Sequence, residues 1–489
     1  MKKLSIFPLL VLFGCAVGPD YQTPEILVSD QWSADDECGA QEEPLQKWWE
    51  VFQDDLLNKY IELAVDHNYD IQVAEANILK ARALRQVAAS TLFPQVNADI
   101  NGTKTYFSKN GPVFVIGQAG GNPADTSSGT TGLPYTIQIP QIQNLFNGLF
   151  DASWELDFFG RTRRAVEAAE AELDSAKEQR NSALLSVFAE IARSYIDLRS
   201  FQKRTKLIQQ NIQLFEQQVD IIEARLRAGY SNQLDLETAE ANLAVARAAL
   251  PNAYSEIYNA IYTLSILIGN PPETLIDELF EERELPYAPT EIALGLRSDL
   301  LRRRPDIRYA ERKLAEATAN IGVAVASFFP TVTLLANGGF QSLVLPHLFE
   351  WGSKTWAYGA DVSMPVFQGG KLFGTLHFRQ ADQVAAAATY QQTVLNALQD
   401  AEISLKRFRD LVDTTTDYQE NILHQERLVA LTQERYTKGL INLLLFIDSK
   451  KQLISSELSL LDSQTRELMA LITLYKALGG GWEVWEKTF

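Results

Sequence analysis

The sequence predicts a mainly α-helical chain with a membrane β part, built by internal duplication. Three observations carry this prediction. Four short stretches alternate apolar with polar residues, two proline-free heptad runs far exceed the length a globular domain uses, and both features recur at fixed offsets.

The strands come first. In LFPQVNADINGTKTYF (92–107), Val96, Ala98, Ile100 and Gly102 share one face, and Gln95, Asn97, Asp99, Asn101 and Thr103 the other. FFPTVTLLANGGF (328–340) repeats the pattern 236 positions on, with Val332, Leu334, Ala336 and Gly338. FDASWELDF (150–158) and YGADVSMPV (358–366) set Phe150, Ala152, Trp154, Leu156 and Tyr358, Ala360, Val362, Met364 against Asp151, Ser153, Glu155 and Asp361. Strands of about ten residues suit a tilted crossing of the hydrocarbon layer. A four-stranded sheet leaves two unpaired edges that lipid cannot satisfy, so the chain must oligomerise to close a barrel. The apolar faces then meet lipid and the acidic faces (Asp99, Asp151, Glu155, Asp361) a wet lumen. Two copies supply eight strands, whose interior side chains fill the bore, and three supply twelve, which leave a channel.

The helices follow. From Arg161 to Ala228 the chain has no proline, and Leu184, Phe188, Ile191, Tyr195 and Leu198, then Ile208, Ile212, Phe215, Val219, Ile222 and Leu226, step by threes and fours. Such a helix is about 100 Å long. It stops at RLRAGYSNQLDL (225–236), where Gly229 ends one helix and Ser231 or Asn232 starts the next. The second copy runs from Lys371 to Lys438 and turns in RYTKGLINLLLF (435–446) at Gly439; Gly229 and Gly439, like Gly269 and Gly479, stand 210 positions apart.

These elements predict a signal peptide over 1–14, an N-terminal segment over 15–55 and a first repeat over 56–291, with a β-hairpin at 92–160, a helical hairpin at 161–269 and a linker at 270–291. The second repeat covers 292–480 (β-hairpin 328–368, helical hairpin 371–479), and 481–489 form a tail. The polar strand connection from about Phe107 to Gly148 is longer than its counterpart, about Gln341 to Thr355, and both have the character of extracellular loops.

A formal charge of −18 leaves no basic surplus for a nucleic-acid partner. The mature region has no run of about 18 apolar residues, which excludes a transmembrane helix bundle. MKKLSIFPLLVLFGC has a basic start, a short apolar stretch and Leu12-Phe13-Gly14-Cys15, the pattern of a lipoprotein signal with Cys15 acylated after cleavage; Phe13 is bulkier than usual there. Ala16 favours onward sorting to the outer membrane. Cys38 is the one other cysteine, so the mature chain has no disulfide framework.

VGPDYQTPE (17–25) after the lipobox, KWWEVFQDDLLNKYI (47–61), the paired YDIQVAEA (69–76) and PDIRYAER (305–312), and the two glycine tips resemble the TolC-type outer-membrane factors, in their OprM/NodT-like lipoprotein branch. The resemblance covers essentially the whole chain. It implies a homotrimer with a 12-stranded outer-membrane β-barrel, a periplasmic α-barrel of coiled-coil hairpins, and an equatorial region made from the chain ends and the mid-chain linker. It implies the exit duct of a tripartite efflux pump for small molecules, docked by a periplasmic membrane-fusion adaptor to an inner-membrane transporter of the resistance-nodulation-division type, in a Gram-negative-type bacterium.

The resemblance also places a gate at the tips. Leu444 and Asp448, four apart on a helix, match positions that form a leucine ring and an aspartate ring; the alternative is that Leu444 is interhelical packing and Asp448 pairs with Lys451 or a neighbouring helix. Tyr436 and Asp235 match positions that link neighbouring tip coils in the TolC branch. Ile441 and Leu445 replace an arginine and an aspartate of that branch, so a mainly apolar gate over LINLLLF (440–446) is expected.

No catalytic constellation emerges. His67, His347, His377 and His424 lack metal-ligand spacing, and QGGKLFG (368–374) lacks the upstream glycine and following Ser or Thr of a phosphate loop. The expectation is no enzyme and no cofactor or metal, with the N-terminal lipid as the modification. Two other functions stay open: an exit channel for a type I protein secretion system, and a non-conducting coiled-coil spacer, which has no need of lipid-length amphipathic strands.

Overall fold

A computed structural model describes residues 16–26, 29, 32, 46–108, 141–289, 292 and 297–485. The signal stretch with Cys15, Cys38, most of the first strand connection and the last tail residues lie outside the described residues. The elements run α1 (Asp55–His67), α2 (Tyr69–Ser90), β1 (Gln95–Tyr106), β2 (Ile142–Leu156), α3 (Arg161–Arg227), α4 (Gln233–Leu267), α5 (Pro305–Ala326), β3 (Thr331–Ser342), β4 (Lys354–Ser363), α6 (Lys371–Thr437) and α7 (Leu443–Leu478). They form two compact units, one of residues 1–21, 83–169 and 317–382, the other of 22–82, 170–316 and 383–489.

The first unit holds one antiparallel sheet in the order β1-β2-β3-β4. Its register pairs Ala98 with Phe150, Phe150 with Gly338 and Gly338 with Trp356, so the apolar sets of all four strands lie on one face. That face is open: Ile100 is 83% exposed and Tyr358 80%. Both second strands of the hairpins begin nearer the connection than the alternation predicts, at Ile142 and Lys354 instead of about 150 and 358. Pairing with the preceding strand carries the ladder through Asn144 and Lys354, which interrupt the apolar pattern that marks a strand in sequence. Beside the sheet, Val17 N–H donates to Phe159 O at 3.1 Å. The buried Arg164 holds the same segment with bonds to Val17 O at 3.3 Å and Asp20 at 2.5 Å.

In the second unit the four long helices pack around one large core, with smaller apolar clusters beside it among the described residues. In the large core, Leu184, Phe188, Ile191 and Tyr195 of α3 are fully buried against Ile261 and Leu264 of α4, Leu405 and Phe408 of α6, and Leu471 and Leu474 of α7. The segment before α1 plugs this core with Trp48, stacked on Tyr475 at 5.6 Å, and Trp49, stacked on Trp485 at 5.4 Å. Each such side chain contributes about 1.5–3 kcal/mol on burial. Nearer the tips the buried row on α3 shifts to Leu207 and Leu214, which meet Ile447, Ile454 and Leu461 of α7. Of the predicted seam residues there, Ile212 and Ile222 are buried, whereas Ile208 and Phe215 are half-buried. A heptad run offers two adjacent apolar rows, and the second repeat's returning helix selects between them.

Candidate channel lining and hairpin-tip gate

Two regions carry the functional residues. On the polar face of the sheet stand all four strand carboxylates, Asp99, Asp151, Glu155 and Asp361, the placement the alternation predicts. An amide ladder crosses three strands on this face, from Gln341 to Asn147 at 2.9 Å and from Asn147 to Asn101 at 2.9 Å. At the helix end, Glu155 pairs with Arg161 at 2.7 Å. The free sides of β1 and β4 pair with no strand among the described residues.

The tips are built by helix-end chemistry. Gly229 and Gly439 take φ of +76° and +71°, a left-handed conformation that only glycine adopts at little cost. Each completes a Schellman motif, with Tyr230 N–H donating to Arg225 O at 2.8 Å and Leu440 N–H to Arg435 O at 2.9 Å. Asn232 and Asn442 then cap α4 and α7, accepting from the N–H groups of Asp235 and Leu445, each at 2.9 Å.

This local order decides what the predicted gate residues do within one chain. The Asp235 carboxylate closes a capping box, accepting from Ser231 Oγ at 2.7 Å and Asn232 N–H at 3.4 Å. The Tyr436 ring lies parallel to Phe446 at 5.9 Å. The chain therefore does not bring Tyr436 and Asp235 together among its described residues. Leu444 is half-buried in the first turn of α7, while Asp448 is exposed, its carboxylate 3.9 Å from the Lys451 ammonium. Lys451 also sits 4.2 Å from the centroid of the Phe215 ring and donates to Gln218 at 3.3 Å, so its hold on Asp448 is loose. Tyr230, Leu234, Leu440 and Leu445 expose apolar side chains around the turns.

The sequence reading missed a buried polar network in the middle of the second unit. Tyr195 donates to Asp54 at 2.6 Å, and Asp54 also caps α1 through the N–H groups of Leu56 and Leu57. Arg199, fully buried, donates to Tyr195 Oη at 3.0 Å and to Glu281 O at 3.2 Å, and Gln202 donates to Leu279 O at 2.7 Å. Burial raises the Tyr195 phenol far above its ordinary range, with Asp54 adding to the shift, so it stays a donor. Gln202, four positions after Leu198 where the heptad seam would continue, is the sequence signal that marks this network. No group of three or more potential ligands able to hold a metal occurs among the described residues.

The outer membrane efflux protein family matches residues 60–270 and 296–480. The solvent efflux pump outer membrane protein SrpC of Pseudomonas putida is 29% identical over 99% of this chain and 99% of its own length. The toluene efflux pump outer membrane protein TtgC, also of Pseudomonas putida, is 30% identical over 96% of this chain and 94% of its own length. Among solved structures, the outer-membrane channel OprN superposes with a TM-score of 0.82 at 29% identity, covering 96% of this chain and 100% of OprN. With an open sheet polarised between apolar and acidic faces, long paired hairpins and family matches across both repeats, the chain belongs to the outer-membrane efflux protein family.

Proposed function

We propose that this chain is the outer-membrane exit duct of a tripartite efflux pump, carrying small organic molecules and performing no chemistry on them. The observation that carries the reading is the four-stranded sheet with unpaired edges, apolar on one face and acidic on the other. Three copies close it into twelve strands with a wet bore. The helical hairpins of the two repeats, 56–291 and 292–480, continue the duct into the periplasm, where an adaptor connects it to an inner-membrane transporter. Acylation of Cys15 anchors the chain. The clamp of Val17 and Asp20 on Phe159 and Arg164, where β2 gives way to α3, supports an anchor beside the membrane.

At the tips, Gly229 and Gly439 set the turns and threefold symmetry makes Leu444 an apolar girdle and Asp448 a carboxylate ring. The capping role of Asp235 and the Tyr436–Phe446 stack favour an apolar closure over a polar latch. The test is the native mass of detergent-solubilised mature protein together with the intact mass of its N-terminal peptide. A trimer with an acylated Cys15 is expected; a stable monomer or dimer would overturn the twelve-stranded duct and bring the spacer function forward.

A further inference from the structure

The charges of the sheet are sorted by face. Its four carboxylates share the polar face, whereas its two basic residues, Lys104 on β1 and Lys354 on β4, share the apolar face. Both lie near the ends of their strands that lead into the connections. Both are exposed, and neither has a carboxylate within ion-pair reach among the described residues.

The register puts the two lysines at one depth. Lys104 pairs with Asn144, Phe146 with Ser342 and Phe340 with Lys354, so the pairing steps by four residues along the strands between the two lysines. With about 3.4 Å per residue and strands about 4.8 Å apart, that stagger corresponds to strands tilted by roughly 40°, as in a closed barrel. At that tilt, residues offset in this way share one height. From Lys104 to Val96, and from Lys354 to Val362, eight residues then cover roughly 20 Å of membrane depth, close to the apolar band of an outer-membrane barrel. Both ammonium groups therefore stand where the hydrocarbon ends and headgroups begin.

Aromatic side chains surround this level. Tyr106, Trp356 and Trp351 are exposed, and the Lys354 ammonium lies 4.6 Å from the Trp351 ring centroid. The β3–β4 connection folds onto the same face, with Phe349 edge-on to Phe340 at 5.9 Å. Its one carboxylate, Glu350, hydrogen-bonds with His347 at 2.7 Å and makes no ion pair with Lys354 among the described residues.

We infer that Lys104 and Lys354, framed by Tyr106, Trp351 and Trp356, form a contact for the phosphate groups of anionic lipid headgroups at the outer rim of the barrel. The inference rests on the outer-membrane barrel reading above. Apolar side chains below and a headgroup-level cation above fit a phosphorylated lipid, whose acyl chains cover the former and whose phosphate meets the latter.

The experiment places the full-length protein in phosphatidylcholine vesicles containing spin-labelled phosphatidic acid or spin-labelled phosphatidylcholine, and measures the motionally restricted fraction of each. The wild type should favour phosphatidic acid about threefold, less at high salt. The Lys104→Gln/Lys354→Gln variant should lose the preference, and Lys104→Arg/Lys354→Arg should keep it. Equal restriction of both lipids by the wild type, or a preference unchanged in the glutamine variant, would overturn the contact while leaving the barrel intact. No restricted lipid at all would overturn the barrel, and this inference with it.

Discussion

Asn68 donates from Nδ2 to the Leu267 carbonyl at 2.8 Å, and its Oδ1 accepts from the N–H groups of Asp70 and Ile71, so one side chain closes α4 and starts α2. Arg304, 236 positions on, repeats the donor half of this contact in the second repeat, donating to Ala477 O at 3.1 Å beside the start of α5, where Asp306 accepts from Ile307 N–H at 3.0 Å. Leu267 and Ala477 are 210 apart, the offset of the tip glycines. The duplication has kept the contact and changed its chemistry from an amide to a guanidinium, which also reaches Asp306 at 2.6 Å and Ala397 O at 3.3 Å.

Asn68→Ala removes the cap of α2 and orphans the Leu267 carbonyl together. A loss of about 1–3 kcal/mol follows, read as a lower midpoint in thermal unfolding followed by helical ellipticity. An unchanged midpoint would show that water replaces both bonds.

Tyr195→Phe deletes the hydroxyl between Asp54 and the buried Arg199. Losing that partner should cost about 1–3 kcal/mol and loosen the segment whose Leu279 and Glu281 carbonyls Gln202 and Arg199 hold. Limited proteolysis should cut that segment faster in the variant, and equal rates would argue against the network as its clamp.

Leu444→Ala with Asp448→Ala should raise the leak conductance of the isolated channel in planar bilayers, because both the apolar girdle and the carboxylate ring are gone. Unchanged conductance would remove these residues from the gate without touching the duct.

Replacing Asp99, Asp151 and Asp361 together by Asn removes three of the four strand carboxylates from the polar face. The reversal potential in a salt gradient should shift toward lower cation preference. If selectivity stays put, the acidic face does not line the conducting path.

Glu467 of α7 is buried, which raises its carboxyl above the usual range despite a hydrogen bond from Thr415. A carboxyl raised in the folded state favours its protonated form, so its contribution is present at low pH and lost as pH rises through the folded value. Glu467→Gln should therefore gain midpoint temperature over the wild type at about pH 8 and little at about pH 4. A pH-independent difference would exclude titration of Glu467 as the cause.

The sequence by itself determined which residues face apart along each strand, where the hairpins turn and that the chain is a duplication. Those properties follow from periods of two and of three to four residues and from glycine at a helix end, all local in the chain. Tertiary structure alone decided where β2 and β4 begin, because strand pairing extends the ladder past residues with weak alternation. It also decided that Leu207 and Leu214, rather than the less deeply buried Ile208 and Phe215, join Ile447, Ile454 and Leu461 of α7 in one core. The partner of Tyr195 lies 141 residues away. A buried polar group chooses among such distant partners only when the chain has packed, since the cost of leaving it unpaired arises only once water is excluded.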